Sequence, residues 1–117
     1  MQHAFFYLGL SFILMHEMDA VRCREWRIFP GLSLLGDKAG YVVFMLAHVP
    51  LYFLLFRALM GGENPESVMR GLDVFFIFHL GLHLLFLRHP KNEFKDLVSW
   101  AIIAGAAVCG MIDIFMQ

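Results

Sequence analysis

The stretch "AFFYLGLSFILMHEMDA", residues 4–20, decides how the rest of the chain is interpreted. Its first twelve residues are almost all apolar. A helix of twelve residues rises only about 18 Å, whereas the hydrocarbon core of a bilayer is about 30 Å thick. A helix that crosses a membrane here must therefore continue through His16, Glu17 and Asp19. Ionisable side chains inside a bilayer are costly, and they normally face the interior of a helix bundle or a cavity.

The composition also indicates a membrane protein. The chain has 117 residues, of which 60% are hydrophobic, whereas a soluble domain is about half apolar. A net charge of −1 gives no basis for nucleic-acid binding. Cys23 and Cys109 lack metal or redox spacing, so we expect reduced, buried thiols. No basic leader with a small-residue cleavage site begins the sequence, and the first apolar stretch is interpreted as a retained span.

Four segments are long and apolar enough to cross a bilayer as helices. They are residues 4–23, 39–59, 68–87 and 97–115. The stretches "FPG", "GGENPE" and "RHPKN" separate them, and all the connections are short, so neighbouring helices should be antiparallel. The sequence therefore predicts an all-α fold, an integral membrane four-helix bundle that forms a single domain.

Basic residues predict the orientation of this bundle. The first and third connections with their flanks carry seven Lys or Arg residues, and the opposite side carries Arg57 and Arg70 only. Because cytoplasmic loops are enriched in basic residues, the first and third loops should be cytoplasmic. Both termini should then lie outside, and we expect the inner membrane of a bacterium.

Four histidines of the apolar spans lie at a similar predicted depth. Counted from the cytoplasmic helix ends at about 1.5 Å per residue, they are about 8 to 14 Å into the membrane. They are His16, His48, His79 and His83. This agreement comes from three helices that alternate in direction, and it predicts one shared polar site.

The spacing of these residues is typical of a metal site. His79 and His83 are four residues apart, so both imidazoles project from one helix face and can bind one ion. Asp19 shares a face with His16, whereas Glu17 lies about 100° round the helix. We predict a divalent metal, either zinc or iron, with these ligands: His16, His48, His79, His83 and Asp19.

Roles other than metal ligation are also predicted for polar residues at this depth. Glu17 and Asp19 are the candidate catalytic carboxylates. His48 and Tyr52, one turn apart, are candidates for orienting a substrate or cofactor. Two simpler roles are also open: His48 can be hydrogen-bonded to a neighbouring helix only, and Asp19 can pair with Arg22 at the interface.

Polar residues nearer the outer side are not expected to join this site. Asp73 and Asp113 lie toward that side, and His3 is expected to be solvated. Span four instead carries small residues suited to close helix packing or to a homodimer interface. These residues are Ala101, Gly105, Ala106 and Gly110.

Three stretches, "HEMDAVRCREWRIF", "DKAGYVVFMLAHVPLYF" and "FHLGLHLLFLRHP", carry a family resemblance. The chain resembles small bacterial four-span membrane proteins of unknown function with HELDA…EWR, HVP and HxxxH motifs. It is also distantly similar to small membrane proteins with an H-x-x-E-E motif, although Glu17 and Asp19 depart from that spacing. The first resemblance covers most of the chain, and its matching positions are His16, Glu17, Asp19, Glu25, Trp26, His48, His79 and His83.

The leading functional hypothesis is a metal-dependent membrane enzyme, hydrolase-like with zinc or an oxidoreductase with iron. A lipid or another apolar substrate would reach the site from the cytoplasmic half of the bilayer. A haem-binding electron carrier is a competing hypothesis, because histidines on different helices can ligate haem. A small proton-coupled transporter and a structural membrane subunit are two more functions that such a sequence allows.

Overall fold

The computed structural model describes residues 2–117, which form four long helices. They are α1 (Ala4–Arg22), α2 (Asp37–Gly61), α3 (Pro65–Leu85) and α4 (Leu97–Met116). Two single-turn 3₁₀ helices, Glu25–Arg27 and Leu32–Leu34, lie between α1 and α2. No strand occurs in residues 2–117, so the predicted all-α fold class is confirmed. All four helices are long and apolar enough to span a membrane, which is consistent with an integral membrane protein.

Local sequence explains two of the helix ends that matter for the architecture. α3 begins at Pro65 because Asn64 caps it, accepting a 3.1 Å hydrogen bond from the Ser67 amide. α1 ends at Arg22, and two residues later Arg24 adopts a left-handed conformation with φ of 53°. This reversal directs the next residue, Glu25, back toward the bundle.

Helix α4 is the centre of the packing, and it lies against both α1 and α3. Glycines permit the close approach of these helices. A side chain at Gly105 would lie 3.1 Å from Phe12, and one at Gly110 would lie 2.8 Å from the Asp73 carbonyl oxygen. Of the small residues predicted for packing or dimerisation, Ala106 and Gly110 are buried within the chain, and Ala101 remains exposed.

Helix α2 is peripheral, and most of its apolar surface is exposed. Only Gly40 and Phe44 of this helix are buried. It contacts α3 and the two 3₁₀ turns, and Gly40 is needed because a β-carbon there would lie 2.8 Å from the Trp26 ring. The first 3₁₀ turn is therefore packed directly against the start of α2.

Two apolar clusters fill the bundle on either side of the histidine-bearing turns. The first, toward the loops that precede α2 and α4, consists of Ala20, Cys23, Trp26, Ile28, Phe44, Phe94 and Ile103. The second, toward the chain termini, consists of Phe6, Leu10, Ile13, Met69, Phe76 and Ala106. Along α1, His16 lies between Ile13 of the second cluster and Ala20 of the first. The polar site is thus enclosed by apolar packing.

Candidate metal centre

Three histidines and one glutamate converge inside the bundle. His16 comes from α1, and His79 and His83 come from α3, with ring centroids 4.5 to 4.9 Å apart. Glu25 of the first 3₁₀ turn completes the group, and its Oε1 lies 3.3 Å from Nε2 of His83. One potential ligand atom from each of the four residues lies within 4.8 Å of the others. We refer to these four residues as the histidine centre.

The imidazoles of this centre are buried, and several of their nitrogens have no hydrogen-bond partner. His16 is fully buried, and His79 and His83 are 8% and 5% exposed. Within the described part of the chain, neither nitrogen of His16 is hydrogen-bonded, nor is Nδ1 of His79. The 3.8 Å separation between His16 and Glu25 is too long for a hydrogen bond. Buried polar groups are normally satisfied, so these nitrogens call for a partner that protein atoms do not supply.

Aromatic side chains form the wall of the centre. The Phe94 ring stacks on His16 at 5.4 Å and packs edge-on against His83 at 4.6 Å. Two hydrogen bonds fix the backbone of Phe94: its amide donates to Asn92, and its carbonyl accepts from the Trp100 indole. The loop before α4 therefore keeps water away from the imidazoles on this side.

Glu25 supplies the only carboxylate of the centre. Its burial opposes ionisation, but the facing imidazoles of His16 and His83 outweigh that effect and hold the pKa of the Glu25 carboxyl at about 2, below its ordinary value. The side chain is therefore an anion that faces two imidazoles. Carboxylate oxygen and neutral imidazole nitrogen together form a donor set typical of zinc.

The turn that carries Glu25 is tied to the start of α2. The Trp26 indole donates a 2.9 Å hydrogen bond to the Asp37 carboxylate. The Arg27 guanidinium donates two more to the same carboxylate, each of 2.8 Å. This bidentate arrangement orients the turn, so the position of Glu25 depends on α2.

The dimensions of the centre suit a single ion. Tetrahedral zinc with ligand distances of about 2.0 to 2.2 Å requires donor atoms about 3.3 to 3.6 Å apart. The donors of the histidine centre lie within 4.8 Å of each other, so small side-chain movements bring four of them onto one ion. The residues present thus fit a divalent metal, which would take up one nitrogen of each imidazole.

His48 does not join this group, and it pairs with Glu17 instead. Its Nε2 lies 2.7 Å from a Glu17 carboxylate oxygen, and its Nδ1 lies 2.5 Å from the Phe44 carbonyl oxygen. The Phe44 carbonyl can only accept a hydrogen bond, so Nδ1 of His48 must carry a proton. The contact between Nε2 and Glu17 then needs a second proton, on either the imidazole or the carboxyl. The pair therefore holds one proton more than a neutral imidazole and an ionised carboxylate. Both ring nitrogens of His48 are therefore satisfied by the protein.

Two further predicted site residues also lie outside the histidine centre. Asp19 accepts hydrogen bonds from Arg22 at 2.8 Å and from the Ser99 hydroxyl at 2.5 Å. The simpler role of Asp19, an interfacial pair with Arg22, is thus the one observed, and Arg22 continues to Asp96. Tyr52 lies beside His48, with ring centroids 5.6 Å apart. The structure thus brings His16, His79 and His83 together in the centre and gathers Glu17, His48 and Tyr52 outside it.

Glu25 is not among the residues that spacing and depth assign to the site. It lies beyond the first span, in a region interpreted as interfacial, and the sequence shows no regular helix that would direct it inward. The one signal for it in the sequence is the matched position of Glu25 and Trp26 in the resembling family. The left-handed turn at Arg24 explains how a residue after the span returns to the bundle interior.

The expectation that His3 is solvated is wrong. Its side chain is only 14% exposed, and its Nδ1 lies 3.3 Å from the buried Asp113 carboxylate. The start of α1 packs against the end of α4 here, so a terminal position does not place the imidazole in solvent.

Comparison with known proteins places the chain in a family but supplies no activity. The chain belongs to DUF6713, a family of unknown function whose model matches residues 2–117. No curated protein and no solved structure matches it.

Proposed function

We propose that this chain is a metal-binding integral membrane protein that holds one divalent ion in the histidine centre. The observation that carries the proposal is the set of buried imidazole nitrogens without partners, gathered with the Glu25 carboxylate within 4.8 Å. In a membrane protein such unsatisfied groups are destabilising, and a bound ion reduces that penalty by ligating one nitrogen of each imidazole. Zinc suits the donor set best, and iron is the second choice.

The finer proposal is that the chain is a metal-dependent enzyme acting on a lipid or another apolar substrate. When bound, zinc supplies Lewis acidity and activates a water molecule at neutral pH. Glu17 follows His16 directly and forms a pair with His48 that holds one extra proton. Both side chains of that pair are about one-fifth exposed on the outside of the bundle, where an apolar substrate arrives. In this proposal the Glu17–His48 pair donates that proton to the leaving group and regains one from the activated water.

A structural metal centre is the second candidate, and a specific observation favours it. Three histidines and Glu25 already supply the four ligands of a closed tetrahedral site, whereas catalytic zinc keeps a position open. The two candidates differ in the role of Glu25, which is a permanent ligand in a structural centre. Haem binding fits less well, because three imidazoles in mutual contact leave no room for a porphyrin between any two of them.

The proposed orientation places the histidine centre in the cytoplasmic half of a bacterial inner membrane, with both termini outside. The support is the excess of Lys and Arg in the loops next to this centre. Reporter fusions at Gln117 and near Gly62 should both give an external signal. A cytoplasmic signal at either position would reverse the orientation. A homodimer through α4 would use the side of that helix on which Ala101 is exposed.

Metal analysis of the detergent-purified protein tests the proposal. The wild type should retain zinc, and the Glu17→Gln variant should retain the same amount because Glu17 does not belong to the histidine centre. If the chain is an enzyme, membranes that contain the wild type should differ in lipid composition from membranes that contain Glu17→Gln, as measured by mass spectrometry. Identical lipids with full zinc in both would favour the structural centre, and a wild type without affinity for zinc would refute metal binding.

A further inference from the structure

A second buried polar group lies at the other end of the bundle, near the chain termini. Asp73 of α3 is fully buried, and within residues 2–117 neither of its carboxylate oxygens has a hydrogen-bond partner. A buried carboxylate without partners is among the most destabilising groups in a protein, and more so in a membrane. The described side chains thus leave both of its oxygens without a partner.

The packing of α3 on α4 brings a second carboxylate to the same place. Gly110 lies against the backbone of Asp73, because a β-carbon at this glycine would lie 2.8 Å from the Asp73 carbonyl oxygen. Asp113 follows about one helical turn later on the same face of α4, and it is buried, as Asp73 is. The close helix contact thus holds two acidic side chains together.

Asp113 is fixed in position by neighbouring donors. One of its oxygens accepts a 3.2 Å hydrogen bond from the Phe6 amide, and the other accepts from Gln117 at 2.7 Å. His3 lies against the same oxygen at 3.3 Å. These contacts orient Asp113, but none of them reaches the oxygens of Asp73.

Access to this pair comes from the end of the bundle. A cavity of about 480 Å³ opens there, and Asp113 forms part of its wall together with His3 and Gln117. Its other charged lining residues are Glu66 and Arg70, and the Arg70 guanidinium donates to the Gln117 side chain rather than to either aspartate. A hydrated ion can therefore approach Asp113 from the aqueous side.

The pair is separate from the histidine centre. Asp73, Phe76 and His79 follow one another along the buried face of α3, so the fully buried Phe76 ring lies between the two sites. Phe76 belongs to the apolar cluster that also contains Phe6, Leu10 and Ile13. The two polar groups are therefore independent, and each needs its own compensation.

We propose that Asp73 and Asp113 form a second cation site, which takes a hard divalent ion such as Mn²⁺ or Mg²⁺. Two carboxylates neutralise the charge of one divalent ion, and carboxylate oxygen is the ligand type that these ions prefer. Such ions commonly bind through one or two carboxylates and keep several water molecules, which the adjoining cavity can hold. A single shared proton would neutralise only one of the two carboxylates and would satisfy fewer of the Asp73 oxygens.

Electron paramagnetic resonance of Mn²⁺ titrated into the purified protein, with the histidine centre already loaded with one zinc ion per chain, tests this site. The wild type should bind one Mn²⁺ per chain at this site, and Asp73→Asn should weaken that binding by about tenfold or more. Glu63→Gln is the matched control, because Glu63 is an exposed acidic residue in the turn at the same end. It should bind Mn²⁺ like the wild type, and so should His79→Ala, which removes a ligand of the other centre only.

Two results would overturn the second site. A wild type that binds no Mn²⁺ would show that the carboxylates share a proton instead, and so would an Asp73→Asn variant that binds like the wild type. Asn is nearly isosteric with Asp and removes an unpaired buried charge, so this variant should fold. If Asp73→Asn does not fold, Mn²⁺ binding by Asp113→Asn and the number of Mn²⁺ ions bound by the wild type decide whether the site exists. Loss of Mn²⁺ binding in His79→Ala would also contradict the proposal, because the sites would not be independent.

Discussion

Four histidines at one predicted depth have two different environments, and the comparison separates His48 from the other three. Both ring nitrogens of His48 have protein partners, namely Glu17 and the Phe44 carbonyl. Neither ring nitrogen of His16 has one in the described residues, although this ring is fully buried. The predicted depth therefore identifies polar residues that need compensation, whereas the lack of hydrogen-bond partners identifies those that still need a ligand.

The packing of the helices explains this division. His16, His79 and His83 lie on α1 and α3, both of which pack against α4. His48 lies on the peripheral helix α2 and is about one-fifth exposed. A loosely packed helix cannot bring its imidazole into the enclosed centre, and a local carboxylate satisfies it instead.

The largest expected effect is the loss of metal on removal of an α3 imidazole. His79→Ala and His83→Ala should each lose most of the bound zinc, with affinity reduced by about 100-fold or more, because loss of a direct ligand should exceed the 10- to 100-fold typical of outer contacts. Metal analysis by mass spectrometry after dialysis measures the effect. Full zinc content in both variants would show that the α3 histidines are not zinc ligands and do not differ from His48 in this respect.

Glu25 should have the next largest effect. Glu25→Gln removes the anion while keeping a similar shape, and zinc affinity should fall by about 10- to 100-fold. The matched control is Glu93→Gln, since Glu93 is an exposed glutamate whose contact with Arg27 is 3.9 Å long. Competition with a chromogenic chelator measures both affinities. Equal affinities for these two variants would exclude Glu25 from the centre.

His48 should affect stability rather than metal content. His48→Gln should retain the zinc of the wild type, because the ring is not a ligand. It should lower the free energy of unfolding by about 1 to 3 kcal/mol through loss of a charge-assisted hydrogen bond to Glu17. Thermal unfolding in detergent and zinc analysis of the same sample provide the two measurements. Zinc loss as severe as in His79→Ala would place His48 in the centre after all.

The smallest effect is expected at the support of the Glu25 turn. Trp26→Phe keeps most of the packing but loses the hydrogen bond to Asp37, so zinc affinity should fall by less than about tenfold. Tyr41→Phe changes the aromatic neighbour of Trp26 and leaves that hydrogen bond in place, so it serves as the control. The same chelator competition measures both. A Trp26→Phe affinity equal to that of Tyr41→Phe would show that the turn does not depend on this bond.

The helices could be predicted from sequence because membrane spans are defined by length and apolar character, and "FPG" and "GGENPE" interrupt them visibly. The convergence of His79 and His83 could also be predicted, since residues four apart share a helix face whatever the tertiary packing. Hydropathy does not encode which helices pack together, so the separation of His48 from His16 could not be predicted.

Glu25 and Asp73 show a second limit of sequence reasoning. The inward direction of Glu25 depends on the left-handed conformation of Arg24, a residue type that rarely adopts it and therefore gives no sequence signal. The proximity of Asp73 to Asp113 depends on the contact of Gly110 with α3, and the pattern of small residues in α4 indicates close packing without naming the partner helix. Both features arise from tertiary structure.

The most direct test of the central claim is the difference in zinc retained per chain between the wild type and His83→Ala, purified and dialysed identically. Subtraction removes any ion bound at the carboxylate pair near the termini, so the difference reports the histidine centre alone. We expect a difference of about one zinc ion per chain, since loss of one imidazole from a four-ligand site should release the ion. Equal zinc content in two folded proteins would contradict it.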